Sequence, residues 1–253
     1  MSTPAVSDVQ TLFNGKAHAW QYKYGPGGKL DSRLARFTAR LSVLCPPPAR
    51  ILDLGCGTGE ISAAIGQGGY QVTACDIAER MLEVARNNWA GIPVEWLSLR
   101  SGWTVLPFKG LRFDAIVSSS VFEYLLDVEG VARELARVLR PGGVLIFSVP
   151  NPCNRIRKFE ERLRSAFFSR TLNPMFLRVR PVKSYLTYLR VSRNRFGAAQ
   201  WESILSNAGF QPVDKKEFSE TRWLEGSDFP LVLLAAKKVV TSRPYPFCSA
   251  VFH

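Results

Sequence analysis

The chain is poor in the groups that most often carry acid–base and metal chemistry. Its 253 residues include two histidines, His18 and His253, and the second is the last residue. The five cysteines (45, 56, 75, 153 and 248) are odd in number and form no C-x-x-C pair. That excludes a disulfide framework and a cysteine-held metal cluster, and it fits a reducing compartment. No apolar run reaches the length a bilayer span needs. The N-terminus, Met1-Ser-Thr-Pro-Ala5, lacks the charged-then-apolar pattern of a secretory leader, so the sequence predicts a cytoplasmic protein. Acids are scarce in one stretch. Residues 155–195 hold twelve Lys/Arg against Glu160 and Glu161, a local net of +10 out of the chain's +12. The basic character therefore belongs to one segment, and the rest is near neutral.

What is present concentrates at Ile51-Leu-Asp-Leu-Gly-Cys-Gly-Thr-Gly-Glu60. Ile51 to Leu54 read as a buried strand. Gly55, Gly57 and Gly59 alternate through a bend with Cys56 between them, and Ile61, Ala64 and Ile65 open a helix. Glycines at such a turn let the backbone approach a ligand, and the helix start offers free N–H groups. The dinucleotide fingerprint would be G-x-G-x-x-G. Here the spacing is G-x-G-x-G, followed by Glu60, whose carboxylate would repel a pyrophosphate. Asp53 at the strand end suits a cofactor carrying a cationic amine.

From Ile51 onward strands and helices alternate. Strands are predicted at Gln71–Cys75, Val94–Leu97, Phe113–Ser118, Val144–Val149, Phe210–Phe218 and Leu231–Lys237. Helices are predicted at Ala78–Asn88, Val128–Leu139 and Ala198–Asn207. An earlier helix carries Leu30, Leu34, Phe37, Leu41 and Leu44, and Pro46-Pro-Pro48 ends it. Pro141-Gly-Gly143 reads as a turn. The alternation implies an α/β fold with a parallel sheet and helices on both faces. Asp76 directly follows the second strand. A carboxylate there can take both ribose hydroxyls, or it can cap the next helix. Ile77 is placed to cover an adenine face.

The glycine run, together with Phe113-Asp-Ala-Ile-Val117 and Leu139-Arg-Pro-Gly-Gly143, resembles class I S-adenosylmethionine (SAM)-dependent methyltransferases. Ser118-Ser-Ser-Val-Phe-Glu-Tyr-Leu-Leu-Asp127 resembles the matching segment of the quinone-type O-methyltransferase branch. Lys16, Ala17, Trp20 and Tyr24 fit that branch's N-terminal pattern. The resemblance implies a Rossmann-like, seven-stranded, mostly parallel sheet with the last strand antiparallel. It implies a SAM-binding core over 49–150 and 198–240, an N-terminal helical lid over 1–48, a cap insert over 151–197 and a tail over 241–253. It implies SAM as cofactor, with Trp20 and Tyr24 enclosing its methionine end or packing as a surface helix. Ser118 joins the cofactor-facing positions on the same ground. The family's usual acid after the third strand is missing, which leaves the adenine edge to Gly102 or Trp103, or Trp103 to ordinary packing. Where the quinone branch can hold a metal, this chain has Ser120, Glu123 and Tyr124, too few carboxylates for a hard cation; no metal is expected. Tyr124 orients the acceptor or packs. His18 is the one imidazole placed for base work, or a surface histidine.

The implied function is methyl transfer to a small or lipid-like acceptor, at oxygen. The alternatives are an N-methyltransferase on a small anionic acceptor and a non-catalytic RNA- or membrane-binding module keeping the fold. No Asn/Asp-Pro-Pro-Tyr/Phe tetrapeptide follows the fourth strand, which argues against methylation of nucleic acids. In the insert, Ile156, Phe159, Leu163 and Phe167 fall at helical spacing among Arg155, Lys158, Arg162 and Arg164. Phe168, Phe176, Leu177, Tyr185, Tyr188 and Leu189 add apolar bulk. That is a basic amphipathic helix, suited to an anionic membrane surface, to a soluble anionic substrate, or to solvent alone.

Overall fold

The computed structural model describes residues 6–25, 30–168, 180–214 and 231–239. Two short helices open the chain, α1 (Val6–Asn14) and α2 (Ala17–Trp20), followed after a 3-10 turn by α3 (Asp31–Leu44). Then come β1 (Arg50–Leu54), α4 (Glu60–Gln67), β2 (Gln71–Asp76), α5 (Glu79–Asn88) and β3 (Val94–Ser98). The second half holds β4 (Phe113–Ser119), α6 (Val128–Val138), β5 (Leu139–Pro150), α7 (Arg155–Phe168) and α8 (Arg180–Val191). It closes with α9 (Ala198–Asn207), β6 (Phe210–Pro212) and β7 (Leu231–Lys238). The strands form one sheet in the order β3-β2-β1-β4-β5-β7-β6. The first five pair in parallel, and β7 runs antiparallel to both β5 and β6. The expected mostly parallel sheet with a late antiparallel strand is therefore present.

This order follows from the chemistry of the strands. β1 and β4 are buried along nearly their whole length, as strands covered by helices on both faces must be. α6 turns Val131, Ala132, Leu135 and Val138 to the core. On the same side Phe122, Phe147 and Trp201 meet edge-on or tilted, with ring centroids 4.6–5.8 Å apart. α3 covers the other face through Phe37 and Leu41, which pack with Ile51, Ile65 and Ile146. β1 and β4 are neighbours, but β1 leads outward to β2 and β4 leads the other way. The strand order reverses there, and a crevice opens beyond the strands' carboxyl ends.

Two expectations are corrected. Pro141-Gly-Gly143 is no free turn: β5 already pairs at Leu139 with Phe113, and the register shifts before Ala115 meets Val144. The segment is an irregularity inside a longer strand, with Gly142 at φ +77° supplying the bend. The strand from Phe210 ends at Pro212; residues 215–230 lie outside the described residues, as does the tail over 241–253. In α7 two of the predicted apolar positions face outward. Ile156 and Phe159 are each 58% exposed, whereas Arg157 and Glu160 are buried as an ion pair 2.9 Å apart. Phe176, Leu177 and the side chains of Phe167 and Phe168 lie outside the described residues.

Gly59 ends the glycine bend at φ +86°, a left-handed conformation, and a Cβ there would lie 2.5 Å from the Trp96 ring and 3.1 Å from Ala85 Cβ. Strain and overpacking act together at this position. Gly59→Ala is expected to cost about 2 kcal/mol or more, a fall of about 4–8 °C in the thermal midpoint. An unchanged midpoint in calorimetric melting would contradict the tightness of this turn.

Candidate functional site

At the switch point between β1 and β4 lies a cavity of about 790 Å³. Its floor is the glycine bend. Gly55 and Gly57 have φ of +74° and +57°, which points their peptides away from a helical path and leaves room above them. Asp76, at the end of β2, holds this bend in place. Its Oδ2 accepts from Gly57 N at 2.9 Å and its Oδ1 from Ala78 N at 2.8 Å. Each oxygen keeps a further lone pair, so the carboxylate can cap the start of α5 and still accept two hydroxyls. The two readings of Asp76, ribose acceptor and helix cap, are compatible in one geometry.

Asp53 lies buried below the other side of the cavity and accepts from Ser62 Oγ at 2.6 Å. Burial pushes its carboxyl up to about 7, and Asp76 and Glu60 add to the rise while Ser62 opposes it. Glu60, in the first turn of α4, takes the Thr58 hydroxyl at 2.7 Å and is likewise raised by burial. The three carboxylates Asp53, Glu60 and Asp76 make this end of the cavity hostile to phosphate and receptive to a cation.

The N-terminal helices close the top. Gln10 Nε2 donates to Ile77 O at 2.7 Å, and Arg80 N donates to Asn14 Oδ1 at 3.1 Å, which ties α1 to the end of β2 and the start of α5. Trp20 and Tyr24 both line the cavity. A Cβ on Gly57 would lie 3.6 Å from Trp20 Nε1, so ring and loop face each other across a small gap. Burial raises the Tyr24 phenol to about 12, so it stays protonated at neutral pH.

Of the predicted cofactor-facing residues, Trp20, Tyr24, Asp53, Gly55, Cys56, Gly57, Asp76, Ile77, Gly102 and Trp103 line this one cavity. Two do not. Gly59 is spent on the turn beneath. Ser118 is fully buried and donates to Leu54 O at 3.0 Å, tying β4 to β1. Of the two candidate catalytic residues, His18 sits exposed on α2 and is not among the lining residues. Tyr124 does line the cavity, but burial first and Glu123 second raise its phenol far above the ordinary value. It can donate a hydrogen bond and cannot serve as a base. Glu123 also lines the cavity, is buried and accepts from Ser192 Oγ.

Arg33 was not legible as a site residue. It lies in the first turn of α3, lines the cavity, and donates to Ser119 Oγ at 3.1 Å and Ser120 Oγ at 3.3 Å. Ser120 has φ +59°, an uncommon conformation for a residue with a side chain, and the kink ends β4 beside Arg33. A guanidinium held this way can receive a carboxylate.

The site thus offers two hydroxyl-accepting oxygens, a buried acid for an amine and a guanidinium for a carboxylate. That donor set matches the ribose and the amino-acid end of SAM.

A family profile described as a methyltransferase domain matches residues 52–147. The ubiquinone biosynthesis O-methyltransferase of Xanthomonas axonopodis pv. citri is 33% identical over 145 residues, covering 55% of this chain and 59% of that one. The malonyl-acyl-carrier-protein O-methyltransferase of Erwinia pyrifoliae is 39% identical over 99 residues, 39% of this chain and 36% of that one. The chain thus spans about three fifths of the first relative's length and about one third of the second's. Among solved structures, a SAM-dependent methyltransferase from Mesorhizobium loti superposes with a TM-score of 0.55 at 20% identity, covering 79% of this chain and 96% of that one. The 4+2 cyclase SpnF superposes with a TM-score of 0.61 at 16% identity, covering 95% and 99%. These two likenesses speak to the fold alone, and a fold does not fix a reaction. What the comparisons share is a methyltransferase domain, matched here over residues 52–147.

The raised Asp53 gives a pH signature. Its folded value of about 7 lies above the reference of 3.8, so the group favours the folded state less as pH rises from about 4 to about 7, and contributes no further slope above that. An amine cation placed against Asp53 would favour its ionised form and expel a proton. Binding of S-adenosylhomocysteine near pH 6 should therefore release protons, read as a binding enthalpy that varies with buffer, and Asp53→Asn should abolish the release. Buffer-independent enthalpy in the unmutated protein would contradict it.

Proposed function

We propose that this protein transfers the methyl group of SAM to an oxygen of a small or lipid-like acceptor. The observation that carries the reading is the Asp76 carboxylate, pinned between Gly57 N and Ala78 N, opening into a cavity that also presents Asp53 and Arg33. SAM supplies an electrophilic methyl on a good leaving group, so the protein's task is alignment and exclusion of water. Asp76 takes the ribose hydroxyls, Ile77 and Trp103 border the adenine, and Asp53 and Arg33 hold the amine and carboxylate. The segment over 1–48 acts as the lid through Trp20 and Tyr24. The segment over 151–197 forms the acceptor's cap, a role supported by Ile156, Arg157, Ser184, Tyr185 and Tyr188 lining the same cavity. Oxygen as the acceptor atom is supported by the two relatives named as O-methyltransferases.

An apolar acceptor is favoured by the outward apolar side chains of the cap. α7 shows Ile156 and Phe159 to solvent beside exposed Arg155, Lys158 and Arg162. Apolar side chains flanked by cations suit an anionic lipid surface. No described helix is long and apolar enough to cross a membrane, so attachment would be peripheral. On this reading Ile156, at the cavity mouth, leads a lipid-like acceptor inward.

Cell extracts incubated with methyl-labelled SAM and the protein should yield a new labelled product in the lipid fraction, and Asp76→Ala should remove it. Label confined to water-soluble products would overturn the lipid-like acceptor. Absence of any labelled product would overturn methyl transfer. In co-sedimentation, recovery on phosphatidylglycerol-containing vesicles should exceed that on phosphatidylcholine and fall with Ile156→Ser/Phe159→Ser; equal recovery on both would remove the membrane reading.

A further inference from the structure

If methyl transfer goes to a hydroxyl, the hydroxyl's proton needs a destination. Neither sequence-predicted candidate provides one, because His18 is exposed and not among the lining residues and Tyr124 is held protonated. The acceptor half of the cavity, between the glycine bend and the cap, contains a tightly matched set of charges. Glu160 is paired with Arg157 Nη1 at 2.9 Å and with Arg195 Nη1 at 3.0 Å. Arg157 also donates to the Tyr188 hydroxyl. Glu123 is held by Ser192 Oγ and feels both Arg157 and Arg195. Two carboxylates thus face two guanidiniums, and the set is balanced without a further ion.

Lys16 brings a further cation to this wall of the cavity. It sits in the turn joining α1 to α2, with its backbone N–H bonded to Phe13 O at 2.9 Å. Its side chain is half-buried, lines the cavity, and places Nζ 5.7 Å from the Phe13 ring centroid and 5.8 Å from that of Tyr188. Phe13 in turn packs edge-on against Tyr124 at 5.3 Å. No ion pair joins Lys16 to a described residue. Glu123 is the charged neighbour of this ammonium, and burial disfavours the charge more strongly than Glu123 supports it, lowering its pKa. Lys16 lies two residues from His18 but on the cavity side of the same turn.

We propose that Lys16 is the catalytic base, and that its Nζ takes the proton of the acceptor hydroxyl. The inference rests on the methyl-transfer reading above. The acceptor's O–H bond breaks and its proton goes to the nitrogen lone pair. The freed oxygen pair forms the bond to the methyl carbon, and the electrons of the old carbon–sulfur bond remain on sulfur. The positive charge passes from sulfonium to ammonium, so the pocket's net charge is the same before and after. Glu123, Tyr124 and Tyr188 border the ammonium that results, with Arg157, Glu160 and Arg195 behind them, and Glu123 steadies it. The Tyr124 hydroxyl donates to Glu123 and so holds that carboxylate in place.

Two measurements test this. Trace acetylation with labelled acetic anhydride, read peptide by peptide in the full chain saturated with S-adenosylhomocysteine, gives each lysine's titration without any acceptor. Lys16 should titrate below the exposed Lys109 and Lys158; overlapping curves would overturn the proposal. In the labelled-SAM extract assay, Lys16→Met should retain S-adenosylhomocysteine binding, lose methyl transfer by about 10²–10⁴-fold at neutral pH, and regain rate as pH rises. Lys16→Arg keeps the positive charge but cannot give up its proton. It should be as inactive as Lys16→Met, and recovery by arginine would show a merely structural or electrostatic role and overturn the base. Failure of the unmutated protein to bind S-adenosylhomocysteine would instead sink the reading on which the proposal rests.

Discussion

The structure turns on one shared carboxylate. Asp76 accepts from Gly57 N and from Ala78 N, and so couples the bend after β1 to the start of the helix after β2. It adds to the bonds from Gly55 N and Cys56 N to Cys75 O in fixing a loop whose glycines stand at positive φ. With it, two adjacent strand ends become a rigid floor, and the remaining lone pairs of the same carboxylate face the cavity. Stability and recognition are drawn from a single buried group, whose pKa is raised by its burial and held back by its backbone donors.

The polar groups around this floor divide by charge. Carboxylates gather under the glycine bend, where Asp53, Glu60 and Asp76 lie. Guanidiniums gather beneath the cap, where Arg157 and Arg195 enclose Glu160. Lys16 and Arg33 lie on the N-terminal segments that cover both. A buried charge is costly unless it is paired, so the cap's arginines are used inside the molecule. Arg155, Lys158 and Arg162 keep their charge exposed to solvent.

Much of the core was legible because it rests on local rules. Strand-to-helix alternation, the glycine bend and Asp76 are short-range signals, and the proline run after Leu44 marks the end of α3. What was not legible depends on contacts between distant segments. Arg33 looks like one more polar residue on an amphipathic helix; only its meeting with Ser119 and Ser120, on another element, makes it part of the site. The inward turn of α7 follows from Arg157 meeting Tyr188 and from Glu160 meeting Arg195, partners that periodicity within one helix does not reveal. Ser118 was misplaced because strand ends project alternately, and its side chain faces Leu54 and not the cavity. Lys16 and His18 lie two positions apart, beside a turn too short to have a readable period.

The central claim is that the cavity over Asp76 holds an adenosyl amino acid. A crystal structure of the protein grown with S-adenosylhomocysteine tests it most directly. The account predicts both ribose hydroxyls on the Asp76 carboxylate, the amine toward Asp53 and the carboxylate toward Arg33. A ligand found elsewhere, or a cavity filled only by solvent at saturating concentration, would contradict it.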